Sequence, residues 1–152
     1  SRRRSLYSYG KRRLPRPALI RFDAAKREMC VVRRHPTTTP LQALVLLNDP
    51  QYVEAARVAA ERAMQLDEGD QPRIAHLYRS FTSRQLTAAQ QRIFTDALNE
   101  QLALFRAQPD QVDAFLAIGD HQPLEDIDRP ALAALTVVAQ MMMNLDHFLM
   151  LR

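Results

Sequence analysis

The sequence is poor in the residues that make turns. Only three of its 152 residues are glycine, which argues against a sandwich or barrel, folds that need many glycine turns. There is one cysteine, Cys30. It cannot form an intramolecular disulfide, so nothing points to a secreted disulfide scaffold, and export is not excluded either. No run of 18 apolar residues occurs, so no segment is expected to span a bilayer. The Arg-rich start has no apolar stretch behind it and does not read as a signal peptide, so no targeting signal is expected within these residues.

Motifs that carry chemistry are equally scarce. The four histidines, His35, His76, His121 and His147, show no metal-ligand spacing. There is no H-E-x-x-H, no C-x-x-C and no C-x-x-C-H for covalent haem. Three scattered glycines cannot build a phosphate-binding loop. Asp146 and His147 are neighbours, and neighbours on a helix point in different directions. Met141, Met142 and Met143 read as core filler rather than a soft-metal site. Cys30 has arginines near it in sequence but no adjacent histidine base. A buried structural thiol is the preferred reading over a nucleophile. No catalytic residue, cofactor or metal is assigned, and a non-catalytic role is the preferred reading of the chain by itself, with a contribution to an active site as the alternative.

What is present is apolar bulk and an uneven charge. Apolar residues make up 47% of the chain, enough for one domain with a real core. The net charge of +4 divides into +10 over residues 1–35 (12 basic, two acidic) and −6 over the rest (nine basic, 15 acidic). Ten of the twelve basic residues in that arm are arginine. Such an arm could bind nucleic acid or an anionic membrane. The preferred reading is that it folds back on an acidic body, because the guanidinium fork pairs with carboxylates and carbonyls, and its apolar residues, Phe22, Val31 and Val32 among them, are more than a solvated tail needs. Nucleic acid is the disfavoured partner.

The periodicity predicts an all-α protein, a compact helical bundle of about five to seven helices. Residues 1–36 form an irregular basic arm packed on the body, and residues 37–152 form the bundle. Two prolines in "LPRPAL" (Leu14–Leu19) suggest extended backbone in the arm. Thr39 caps the first firm helix, with Pro40 at its first position and Gln42 completing a T-x-x-Q box. Pro50 ends it, and Asp49 caps the next helix. Leu41, Leu44, Val45, Leu46 and Leu47 leave the first helix little polar face, so it should be buried on most sides. The second, to about Leu66, should pack along Tyr52, Ala55, Ala56, Ala59, Ala63 and Leu66. Further helices are expected over about 72–83, from Thr87 with Gln90 in a second capping box, and over about 110–118. The segment after Pro130 is apolar on all sides, which marks a central helix with Val138 and Met142 inaccessible.

The strongest polar constellation is Arg33, Arg34, Thr39, Gln42, Asn48 and Asp49, around the short first helix. It is either an interaction corner for a partner or anion, or a set of caps that end helices and tie down the arm. The capping rules account for Thr39, Gln42, Asp49 and both prolines without a ligand.

Several stretches in order carry a family likeness. "RRSLY" (Arg3–Tyr7), "FDAAKREMC" (Phe22–Cys30), Arg33–Arg34, "TPLQAL" (Thr39–Leu44), "LLNDPQYVEAAR" (Leu46–Arg57) and "NLDHFL" (Asn144–Leu149) together resemble the C-terminal part of the planctomycete PSD-one domain. The chain departs from the family pattern at Gly10, Ala25 and Thr38. The resemblance implies an exported bacterial protein, periplasmic or at the cell surface, with a further portion N-terminal to these residues and cytochrome-c-like modules outside them. It supplies no activity. The expected role is that of a non-catalytic helical module, the C-terminal lobe of a larger protein, that docks on the remainder of that protein, on another copy of the chain or on a protein partner. The alternative is a subdomain that completes an enzyme active site, on polysaccharide for example, through Arg33, Arg34, Asn48 and Asp49.

Overall fold

Arg129–Met143 reads almost without a polar break, and a helix made from it has no face that favours water. In the computed structural model, which describes residues 17–23, 37, 39–66, 68–122, 124 and 126–149, it is a helix with ten buried residues. Two compact units are present, residues 1–42 and 43–152. In chain order the helices are α1 (Pro17–Arg21), α2 (Pro40–Asn48), α3 (Pro50–Leu66), α4 (Asp70–Thr82), α5 (Ala88–Ala107), α6 (Pro109–Leu116), α7 (Arg129–Met143) and α8 (Asp146–Leu149). No strand occurs among the described residues, and the fold is an all-α helical bundle.

In the second unit α7 is the common neighbour. It packs most extensively on α3 and α5, and also touches α4, α6 and α8. Ala56, Ala60 and Ala63 on α3, and Ala133, Ala134 and Ala139 on α7, are all inaccessible. Small side chains on both helices let their backbones approach closely. Leu132, Leu135, Val138 and Met142 fill the remaining space, each contributing roughly 1.5–3 kcal/mol by burial. The polar residues inside α7 are satisfied. Thr136 Oγ1 donates back to the Leu132 carbonyl at 2.7 Å, and Gln140 Nε2 donates to the Leu47 carbonyl at 3.1 Å. The second bond gives a partner to a carbonyl that the end of α2 would leave open. Asp128 caps α7 through the Ala131 N–H.

The helix boundaries follow the capping chemistry. Thr87 and Gln90 form the reciprocal box that starts α5. Ser83, left-handed at φ 57°, closes α4. Ile74, Leu77 and Tyr78 of α4 are buried, as are Phe94 and Leu98 of α5. Rings join neighbours at the periphery: Phe105 of α5 stacks on Phe115 of α6, and Phe81 of α4 meets the edge of Phe148 in α8, both at 5.7 Å.

Four expectations need correction. Pro17 starts a short helix where extended backbone was predicted, since proline's fixed φ suits a first helical position as well as an extended one. Helix α2 is not buried on most sides: Leu41, Leu44 and Leu47 are exposed, and Gln42 and Leu46 are its buried residues. The inward face of α3 is Val53, Ala56, Arg57, Ala60, Glu61 and Ala63, not the line through Tyr52, Ala55 and Leu66. The fifth helix of the body begins at Pro109 and ends at Leu116. Phe22 is half-buried, while Val31 and Val32 lie outside the described residues.

The centrality of α7 has a direct test. Val138 has no accessible surface. Val138→Asp is expected to lower unfolding stability by at least ~3 kcal/mol, because a carboxylate there has no partner. Chemical denaturation reads it, and a variant unfolding like wild type would remove α7 from the core.

Candidate functional site: a buried Arg–Glu–His cluster

Glu54, Arg57 and Glu61 are spaced three and four apart, so α3 carries them on one side. That side turns inward. Arg57 is 1% exposed and Glu61 3%. Two charged side chains this deep require each other, because an unpaired ion in the interior is costly. Arg57 Nη1 donates to Glu61 Oε1 at 3.1 Å, and Arg57 Nη2 donates to the His121 main-chain carbonyl. Glu61 Oε2 stands 3.6 Å from Nε2 of His121, whose side chain is about one third exposed. Arg57 Nε is the one buried guanidinium nitrogen without a partner among the described residues.

The same helix grips the loop a second time. Glu54 Oε2 accepts from the main-chain N–H groups of Asp120, at 2.6 Å, and His121, at 3.3 Å. Gly119 permits this approach. It sits at φ +100°, a conformation open to glycine, and a Cβ there would collide with Glu54 Oε2. The loop thus presents N–H groups to one carboxylate, a carbonyl to the guanidinium and an imidazole to the second carboxylate. Farther along, Leu124, Asp126 and Ile127 form one wall of an open groove of about 670 Å³, with Met64 and Arg73 opposite.

Chemically this arrangement fixes a loop on a helix. The Glu61 carboxylate stands between a guanidinium and an imidazole, bonded to the first and facing the second. Among the described residues no group of three or more His, Cys, Asp or Glu side chains is placed to hold a metal ion.

Of the residues expected to form an interaction corner, Thr39, Gln42, Asn48 and Asp49 are described, and each bonds to main chain. Arg33 and Arg34 lie outside the described residues. In the first unit, Thr39 and Gln42 form the reciprocal box: the Thr39 N–H donates to Gln42 Oε1 at 3.0 Å, and the Gln42 N–H to Thr39 Oγ1 at 3.3 Å. Gln42 Nε2 also donates to the Arg21 carbonyl at 2.7 Å, tying α2 to the end of α1. Asp23 accepts from the N–H and the hydroxyl of Thr37. In the second unit, Asn48 Nδ2 donates to the Leu44 carbonyl at 2.9 Å, and Asp49 Oδ1 accepts from the Gln51 N–H at 2.9 Å, capping α3. These side chains serve helix ends.

Sequence reasoning missed Glu54, Arg57, Glu61 and His121. The E-x-x-R-x-x-x-E spacing among alanines was visible. The packing line expected along this helix contained no charged residue, and His121 is 64 residues from Arg57.

Two outcomes follow from this geometry. Arg57→Met strands the Glu61 carboxylate and should cost about 3–5 kcal/mol, whereas Arg57→Met with Glu61→Leu should cost less than the single change. Urea unfolding of both variants decides it, and an equal or greater loss in the double variant would contradict the pair's role. Near the start of α3, burial and then the Asp49 charge raise the Tyr52 phenol above its ordinary 10.0. Folding therefore holds that proton more tightly than the unfolded chain does. The contribution is complete below pH 10.0 and is lost as pH rises through the higher folded-state value. Tyr52→Phe should flatten the fall in stability above that pH. An unchanged slope would show that Tyr52 does not set it.

Comparison with known proteins places these residues in a family. The model of the family described as PSD1, protein of unknown function (DUF1553), matches residues 1–98. That span includes Glu54, Arg57 and Glu61, while His121 and the Asn144–Leu149 stretch lie outside it. No curated protein and no solved structure matches the chain. With nearly two thirds of its length matched from the arm into α5, the chain belongs to the PSD1 family.

Proposed function

We propose that the chain is a non-catalytic helical docking module of an exported bacterial protein, periplasmic or at the cell surface. One observation carries the docking role. Leu44 and Leu47, three residues apart on one side of α2, are 53% and 44% exposed. They belong to a helix whose polar residues are engaged at its own ends, so its free chemistry is apolar. The remainder of a longer protein, another copy of the chain or a separate protein could supply the covering face. The placement outside the cytoplasm rests on the resemblance to a family of exported proteins. The reading in which Asn48 and Asp49 complete an active site has less support, since both side chains bond to the main chain beside them.

Leu44→Glu with Leu47→Glu is the test. In a cross-linking and calorimetry experiment with the other portions of the full-length protein, the double variant should lose at least tenfold in affinity while melting within a few degrees of wild type, since both residues are exposed and two buried leucines would contribute several kcal/mol, roughly 1.5–3 each. Unchanged association would show that α2 is not the docking face.

A further inference from the structure

A second face of α4 lines a groove that carries an arginine. Pro72, Ala75, His76 and Arg79 fall at i, i+3, i+4 and i+7, one side of the helix. That side forms a wall of a groove of about 410 Å³, within the roughly 300–1,000 Å³ typical of small-molecule sites. Gln85 and Leu86, from the connection to α5, form the opposite wall with Gln91. Among the described residues no carboxylate lines it. The Arg79 guanidinium makes no ion pair among the described residues. In a unit rich in acidic residues, a groove that combines one guanidinium, one imidazole and two carboxamides with no acid is an exception.

The walls are held in place. The reciprocal box of Thr87 and Gln90 sets the first turn of α5, which positions Leu86 just before it and Gln91 just after. Gln91 Nε2 donates to the Gln71 carbonyl at 3.4 Å, tying α5 to the start of α4. Ser83, left-handed at φ 57°, makes the turn that brings Gln85 and Leu86 back beside α4. The chain thus builds a polar end at Arg79 and His76 and an apolar strip from Pro72, Ala75 and Leu86.

We propose that this groove binds a carboxylate carried on a short apolar stem. The Arg79 guanidinium would receive the carboxylate through paired N–H donors, the geometry in which arginine exceeds lysine. Gln85 would donate to the remaining lone pairs, and the stem would lie on Ala75, Pro72 and Leu86. A free alkanoate and the C-terminus of a peptide share this chemistry. The site does not involve Leu44 or Leu47 and stands or falls apart from the docking face on α2.

Titration of the labelled 152-residue chain by NMR distinguishes the outcomes, with hexanoate and N-acetylleucine as the two ligand sources and hexylamine as the cationic control. At least one carboxylate should give saturable shifts at the amides of Ala75, His76 and Gln85–Gln91, and hexylamine should not. Arg79→Gln should weaken binding by about tenfold, the effect of losing one charge-assisted pair. Ala75→Glu, which places a carboxylate in the groove, should abolish it. Both positions are exposed, so each variant should keep the wild-type fold. Preference between the two carboxylates identifies the source. The proposal is overturned if neither carboxylate saturates, if hexylamine shifts the same amides, or if Arg79→Gln binds like wild type.

Discussion

The grip of α3 on the loop Gly119–His121 is the interaction on which the second unit depends. Three charged side chains, Glu54, Arg57 and Glu61, reach from one helix to main-chain and imidazole groups more than 55 residues away. A loop carries N–H and carbonyl groups that need partners when they leave water. Here the partners are ionised, which makes each bond stronger than one between neutral groups. The loop follows α6 on the way to α7, so holding it on α3 limits the path of the chain toward the central helix. Apolar packing gives α7 its burial, and Asp128 caps its start.

This arrangement explains why the apolar pattern of α3 was misleading. Alanines occur on several sides of the helix, and Ala55, Ala56, Ala59 and Ala60 do not by themselves select one. Ala55 is exposed and Ala56 inaccessible. The selection is made by Arg57 and Glu61, which neutralise one another and can enter the interior together. A reading that sends every charge to solvent turns the helix the wrong way and brings Tyr52 and Leu66 inward in their place. The error in α2 has a different origin. Five large apolar residues in nine positions suggested burial all round, but a helix of two and a half turns can have neighbours on part of its circumference only. Composition gives the amount of apolar surface, and tertiary contacts decide how much of it is covered.

Local chemistry was more legible. Both T-x-x-Q boxes, at Thr39 and Thr87, form reciprocal bonds between residues three apart, so nothing distant is needed to establish them. The break between α2 and α3 has the same character, with Asp49 bonding the Gln51 N–H and Pro50 occupying the first helical position. The central place of α7 was also evident, since a segment apolar on every side can be accommodated only where it has neighbours on every side. The cluster at Arg57 and the groove at Arg79 were not evident. Each depends on a loop lying beside a helix, and no periodicity along the chain encodes that placement.

The division between local and distant chemistry bears on function. A side chain that caps a helix end has part of its hydrogen-bonding capacity directed at the backbone, and that bond fixes where the rest can point. Thr39, Gln42, Asn48 and Asp49 are all in this position, as Glu54, Arg57 and Glu61 are within the cluster. The polar residues that first attract notice are therefore the ones already engaged. Chemistry available to another molecule includes the exposed leucines of α2 and the α4 face where Arg79 makes no ion pair among the described residues. The first surface is apolar and suited to another protein face. The second pairs a cation with an apolar strip and is suited to an anion on a stem.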